Sequence, residues 1–159
     1  MGVAGSGKST IAREVALRSG RVMVEGDDFH PPENIRKMSA GLALTDDDRR
    51  EWLARIAAQL GAHPEGAVVS CSALKKAYRD RFRAAAPGVR FVFLDIPPAL
   101  ALERVQARSG SHFFPASVVA SQFATLEDPS AEPGVLRLDG RLAADELAAQ
   151  ALAWAAAPA

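Results

Sequence analysis

A chain of 159 residues with 48% hydrophobic side chains can bury one core without disulfides or a structural metal, and nothing suggests a second domain, so we expect a single domain over residues 1–159. Its 19 lysines and arginines balance 19 aspartates and glutamates with no block of like charge, which argues against nucleic acid or a membrane surface as partner and for small molecules. The lone Cys71 excludes an internal disulfide and no charged-then-apolar leader is evident, so a reducing, cytoplasmic setting is expected. The most apolar stretch, 147–157, is short and alanine-rich and suits a packed terminal helix rather than a membrane span.

The first element is a phosphate loop. Gly2, Val3, Ala4, Gly5, Ser6, Gly7, Lys8, Ser9 and Thr10 satisfy G-x-x-x-x-G-K-[ST]. Glycines let the backbone curl so that its N–H groups converge, and a helix starting near Lys8 adds the positive end of its dipole. Lys8 then reaches the β and γ phosphates of a nucleotide, and the Ser9 hydroxyl is placed to hold Mg²⁺. Ile11, Val15 and the pair Ala12 and Ala16 give that helix one apolar face, with Gly20 after its end. Such loops hang from the carboxyl end of a buried parallel strand, yet only Met1 precedes Gly2. We therefore expect Met1 to be an internal methionine, with several apolar residues upstream of it in the natural chain.

Helical patterns then alternate with short apolar runs: Val22-Met23-Val24, Ala67-Val68-Val69, Phe91-Val92-Phe93-Leu94 and Val135-Leu136-Arg137-Leu138. The first three read as strands buried on both faces. With helices between them they predict an α/β, three-layer P-loop NTPase fold with a parallel sheet and ligands at the carboxyl ends of the strands. After the first run, Glu25, Asp27, Asp28 and His30 crowd one strand end, where a carboxylate can accept a proton from an attacking hydroxyl or hold a metal-bound water. His30 fits a structural role equally well.

Residues 33–40 predict a short helix and Gly41 its stop. Thr45 caps a longer helix whose apolar stripe is Trp52, Leu53, Ile56 and Leu60. Arg49 in its first turn opposes the helix dipole, which invites a role in gripping an anionic substrate. The second run leads into Ser70, Ser72 and Lys75, groups suited to a polyhydroxylated anion, with Cys71 a buried filler. Asp95 after the third run is expected to cap a turn rather than to serve as a Walker B carboxylate. Arg104 and Arg108 share a helix face leading into a lid over about residues 108–116, where arginine can neutralise the transferring phosphoryl group. Asp139 and its neighbours would lie near a nucleotide base if the last strand flanks the phosphate loop.

Five blocks together resemble the gluconokinases of the small, shikimate-kinase-like P-loop class: the loop itself; EGDDFHPPENIRKMSAG over 25–41; TDDDR from Thr45; SCSALK from Ser70; and HFFPAS through SQFATLE over 112–127. The resemblance covers nearly the whole chain. It implies ATP-dependent phosphorylation of D-gluconate to 6-phospho-D-gluconate with Mg²⁺, in carbohydrate acid catabolism, by a homodimer. It implies Asp27 as the catalytic carboxylate, although the choice between Asp27 and Asp28 stays open, with Lys8 and Arg108 acting on the phosphoryl group. Glu25 would hold a metal-bound water beside Ser9. Asp28, His30, Lys37, Arg49, Lys75 and Gln122 would contact gluconate, and Arg104 and Arg108 the nucleotide. Ala4 stands where serine is common in the family, a small departure because the loop uses backbone donors.

The competing readings are a related small-molecule kinase, acting on shikimate or a nucleoside, and a nucleotide-binding module left without turnover by its short N-terminus. A GTPase switch is disfavoured, since the only asparagine, Asn34, precedes Ile35 and no N-K-x-D guanine reader is present.

Overall fold

The four predicted strands all form, and they pair in parallel. In the computed structural model, which describes residues 1–107 and 116–157, β1 (Val22–Glu25) lies beside β2 (Ala67–Ser70), with Val22 opposite Ala67 and Glu25 opposite Ser70. β3 (Phe91–Asp95) lies beside β4 (Val135–Asp139), with Phe91 opposite Val135 and Asp95 opposite Asp139. The helices are α1 (Lys8–Ser19), α2 (Pro32–Ser39), α3 (Asp46–Ala62), α4 (Lys76–Ala85), α5 (Pro98–Ala107), α6 (Ala116–Thr125) and α7 (Ala144–Ala156), and a 3₁₀ turn (Gly26–Phe29) follows β1. The expected α/β architecture is present, but the sheet is two parallel pairs rather than one continuous layer.

Met1 and Gly2 span the seam between the pairs. The Met1 nitrogen donates to the Val92 carbonyl at 2.6 Å, the Leu94 N–H donates to the Met1 carbonyl at 3.0 Å, and the Gly2 N–H donates to the Ser72 carbonyl at 3.2 Å. The seam corrects the reading of three strands buried on both faces. In β3, Phe91, Phe93 and Leu94 are buried, whereas Val22 of β1 is 52% exposed and Ala67, Val68 and Val69 of β2 are only half-buried. β1 is an edge strand and β2 borders the seam, so neither is enclosed as β3 is.

Alternation along β3 divides the core into two faces. Phe91 packs with Trp52, Leu53 and Ile56 of α3 and Tyr78 and Phe82 of α4, whereas Leu94 packs with Ile11 of α1, Leu138 of β4 and Leu147 and Ala151 of α7. This is the three-layer arrangement. A third cluster, Val3, Leu74, Ile96, Ala101, Val105 and Val119, sits under the phosphate loop.

Thr45 caps α3 as expected, and Asp48 reciprocates: Thr45 Oγ1 accepts from the Asp48 N–H at 3.2 Å, and Asp48 Oδ2 accepts from the Thr45 N–H at 2.8 Å. Asp95 accepts from Arg137 Nε at 3.0 Å across the β3–β4 pair, where neighbouring opposite charges attract. One expectation is corrected. β4 does not flank the phosphate loop, because β3 stands between them, and only Gly140 beyond its end returns towards the loop, held by its N–H to the Asp95 carbonyl at 2.8 Å. Arg108 and most of the expected lid lie outside the described residues.

Arg79 of α4, 0% exposed, ties the loop after β2 to the segment after α6. It donates to the carbonyls of Ala73 at 2.8 Å, Leu74 at 3.0 Å and Glu127 at 3.1 Å, and pairs with Glu132 at 2.5 Å. Ala73 has a φ of 45°, a conformation costly for a residue with a Cβ, so its carbonyl needs such an anchor. Replacing Arg79 with Met should lower stability by about 1–3 kcal/mol, because three carbonyls lose a buried donor while Glu132 keeps Arg83 at 2.8 Å; urea unfolding measures the loss.

Candidate active site

Local backbone chemistry sets the phosphate loop. Gly5 has a φ of +80°, and a Cβ there would lie 2.5 Å from the Ala101 carbonyl, so the loop can pack onto α5 only with glycine at this position. Gly7 is the N-cap of α1 in the left-handed region, with no side chain capping the helix. The first amides of α1 are thus left to an anion. Ser6 is 1% exposed and its Oγ lacks a hydrogen-bond partner among the described residues. Lys8 Nζ donates to the Val3 carbonyl at 2.9 Å, and Ser9 Oγ stands 3.3 Å from Ser70 Oγ, at the end of β2.

The carboxylate cluster is carried by the turn after β1. Trp52 of α3 fixes this turn by donating from Nε1 to the Gly26 carbonyl at 2.7 Å. Asp27 follows, with its side chain 74% exposed. Its carboxyl is nevertheless raised above the ordinary range, first by partial desolvation and further by the charges of Glu25 and Asp28, against which Lys8 acts.

His30 is buried and stacks on Trp52, with ring centroids 4.4 Å apart and planes 8° off parallel. Asn34 Nδ2 donates to the Asp48 carbonyl at 2.7 Å and lies 3.3 Å from His30 Nδ1. With Nδ1 accepting, the neutral ring carries its proton on Nε2, 4.0 Å from Asp27 Oδ1. Burial, then the nearby Arg49 charge, pushes the His30 pKa down to about 4.

The first turn of α3 gathers the cations. Asp48 pairs with Lys37 at 2.6 Å; Asp46 accepts from Lys75 at 2.8 Å and from the Tyr78 hydroxyl. The Lys37 and Thr45 bonds hold the Asp48 carboxyl down at about 2, and those of Lys75 and Tyr78 hold Asp46 low. Arg49, buried, donates to the Leu44 carbonyl at 2.6 Å, with its guanidinium 5.9 Å from the Tyr78 ring centroid. That bond accounts for a cation in an acidic helix start.

The structure thus joins His30, Lys37, Arg49 and Lys75 through α3, with Asp27 and Asp28 on the adjacent turn. It separates Gln122, whose Oε1 accepts from the Ala4 N–H of the phosphate loop at 2.7 Å. Arg104 also stands at that loop, donating to the Gly140 carbonyl at 2.9 Å and the Gly5 carbonyl at 3.5 Å. Sequence reasoning missed Asn34, Tyr78 and the anchoring by Trp52, and it did not foresee that Ser70 meets Ser9. An asparagine four residues after His30, on the helix that begins at Pro32, was the one available signal.

Comparison with known proteins settles the family. The AAA domain family matches residues 1–129. The gluconokinase of Gluconobacter oxydans is 45% identical over 143 residues, covering 88% of this chain and 80% of that protein, and the thermosensitive gluconokinase of Escherichia coli is 43% identical, covering 87% and 76%. A crystal structure of a gluconokinase from Sinorhizobium meliloti superposes with a TM-score of 0.90 at 48% identity, covering 98% of this chain and 89% of that one. The chain belongs to the gluconokinase family.

Within this gluconokinase-family site, His30 gives a pH prediction. A folded pKa of about 4 lies below the ordinary 6.5, so between those values the unfolded chain binds a proton that the folded chain does not, and stability falls as pH falls from 6.5 towards 4. The buried ring accounts for about 3 kcal/mol of that loss. Urea titrations at stepped pH should show it, and His30→Phe should flatten the slope over this window.

Proposed function

We propose that this chain transfers the γ-phosphoryl group of ATP to the 6-hydroxyl of D-gluconate, giving 6-phospho-D-gluconate and ADP. Family membership supports the substrate, and the observation that carries the chemistry is Asp27, a carboxylate of raised pKa at a strand end within the field of Lys8.

In this reading the amides of residues 2–10 bind the nucleotide phosphates, and Lys8 leaves the Val3 carbonyl to neutralise charge on the β and γ groups. Ser9, with Glu25 through a water, would hold Mg²⁺. These are hard oxygen donors, few in number, as suits an ion that takes most of its ligands from phosphate and water; when bound, it would neutralise the phosphate charge. Asp27 orients the sugar hydroxyl and accepts its proton as the oxygen attacks phosphorus. Its raised pKa makes it a better proton acceptor than an ordinary aspartate.

Lys37, Arg49 and Lys75 supply positive charge for the carboxylate of the substrate, and Asp28 and His30 border the sugar hydroxyls. Gln122 and Arg104 serve the nucleotide side, since both touch the phosphate loop. Arg108 is assigned to the transferring phosphoryl group by resemblance.

Two substitutions and an acceptor panel test this in a coupled ADP assay. Lys8→Ala should lower kcat/KM at least about a hundredfold. Asp27→Asn should lower kcat about 10²–10⁴-fold with the KM for gluconate nearly unchanged, and a pure KM effect would contradict the base role. Gluconate should support ADP release where shikimate and nucleosides do not; turnover on shikimate alone would replace the substrate assignment.

A further inference from the structure

Asn34, the only asparagine of the chain, is 3% exposed, and no other residue of α2 is buried. Asparagine is a poor helix former and its amide is costly to bury unpaired, so this residue type at the one buried position of a short helix needs partners. It has two: Nδ2 donates to the Asp48 carbonyl at 2.7 Å and lies 3.3 Å from His30 Nδ1. The first partner fixes the second. A carbonyl oxygen only accepts, so the amide turns its NH₂ group to Asp48, and the other N–H of that nitrogen meets His30 Nδ1, which must then present a lone pair.

We propose that Asn34 is a positioning residue for phosphoryl transfer: it locks His30 in the orientation and tautomer that turn a neutral Nε2–H, and not a lone pair, towards the Asp27 carboxylate. This role rests on Asp27 serving as the base. The stack on Trp52, with centroids 4.4 Å apart and planes 8° off parallel, holds the plane of the ring. It does not choose between the two ring orientations related by a half-turn about the Cβ–Cγ bond, nor between the two tautomers. The Asn34 N–H makes both choices, and the nitrogen left over, Nε2, stands 4.0 Å from Asp27 Oδ1. The Asp27 side chain is exposed and can close that distance, as catalytic contacts do once substrate is bound.

The surrounding charges suit a neutral donor. Lys8, Glu25 and Asp28 act on Asp27, and Arg49 acts on His30. Burial and then the Arg49 charge keep the imidazole neutral, so Asp27 gains an N–H without a second cation that would weaken it as a proton acceptor. Asn34 also shares its anchor. Asp48 takes the Asn34 amide on its carbonyl and Lys37, three positions further along α2, on its carboxylate at 2.6 Å. One residue of α3 thus holds both the group that orients His30 and a cation proposed for the substrate.

Nitrogen NMR of the imidazoles in the unaltered chain near neutral pH tests the tautomer, with the His30 signals assigned by their loss in His30→Gln. His30 should show a protonated Nε2 and an unprotonated Nδ1; a proton on Nδ1 would overturn the proposal. A double-mutant cycle tests the role. Asn34→Leu, of similar shape, should lower kcat about tenfold, with the KM for gluconate changed less than about twofold. In the His30→Gln background, where a side-chain NH₂ stands in for Nε2–H and no tautomer needs setting, Asn34→Leu should lower kcat less than about twofold. Equal losses in the two backgrounds would mean that Asn34 acts on the fold and not through His30, and would overturn the proposal. Should Asn34→Leu fail to fold, Asn34→Ala carries the same pair of expectations, and the spectrum of the unaltered chain needs no variant. Asp27→Asn keeps the two readings apart. If it left kcat intact, the base would be misassigned and this role with it; a wrong tautomer or equal losses beside a crippled Asp27→Asn would strike this proposal alone.

Discussion

The phosphate loop is suspended by backbone hydrogen bonds at the seam of the sheet, and the aim of its amides follows from that suspension. Met1 is held by Val92 and Leu94 of β3, and Gly2 is held by Ser72 beyond β2. The loop then presses on α5 at Gly5 and is touched from the other side by Arg104 and Gln122. Convergent amides bind phosphate well only if they are already aimed when the ligand arrives. The rigidity of a few residues at the front of the chain therefore comes from strands, helices and side chains up to 118 positions away.

The carboxylate side depends on a different anchor, the indole of Trp52. Its N–H holds the Gly26 carbonyl, its face carries His30, and the turn between them presents Asp27. A carboxylate proposed to meet a hydroxyl within hydrogen-bond reach gains from a turn held in place this way. Here a buried aromatic pair, braced by Asn34 against the backbone of α3, replaces the regular ladder that the 3₁₀ turn lacks. Burial keeps His30 neutral, so it contributes shape and a single N–H facing Asp27 rather than a competing positive charge.

The legibility of these features in the sequence tracks how local their cause is. The phosphate loop, the Thr45 cap and the four strand runs are written in consecutive residues and were readable, as was the class of fold. The clustering of acids after β1 was readable because one strand end carries it. Arg49 shows the limit: its position against the helix dipole was visible, but its partner, the Leu44 carbonyl, is the product of a particular turn. Gln122 was drawn to the sugar by block resemblance, and its contact with Ala4, 118 residues away, is a matter of packing that no local pattern encodes. The split of the sheet lay between these extremes. The half-burial of β2 follows only once β3 is seen to stand across the seam.

Charge pairing around α3 bears on how a kinase of this kind can select an acid. Lys37 and Lys75 are each held by an aspartate, and Asp46 and Asp48 are kept ionised by those contacts. An incoming carboxylate would meet cations whose charge is already balanced, so its attraction is the difference between two ion pairs rather than the full value of one. A neutral sugar, by contrast, would gain nothing from the cations and would lose water from them. Discrimination by such a site comes less from raw attraction than from the cost imposed on a ligand that cannot replace what it displaces. Arg49 is the exception, since its chain is buried and its bond is to a neutral carbonyl. Arg49 also lies within the field of Asp46, and the buried guanidinium differs from Lys37 and Lys75 in being fixed by a backbone carbonyl beside the Tyr78 ring rather than by an ion pair.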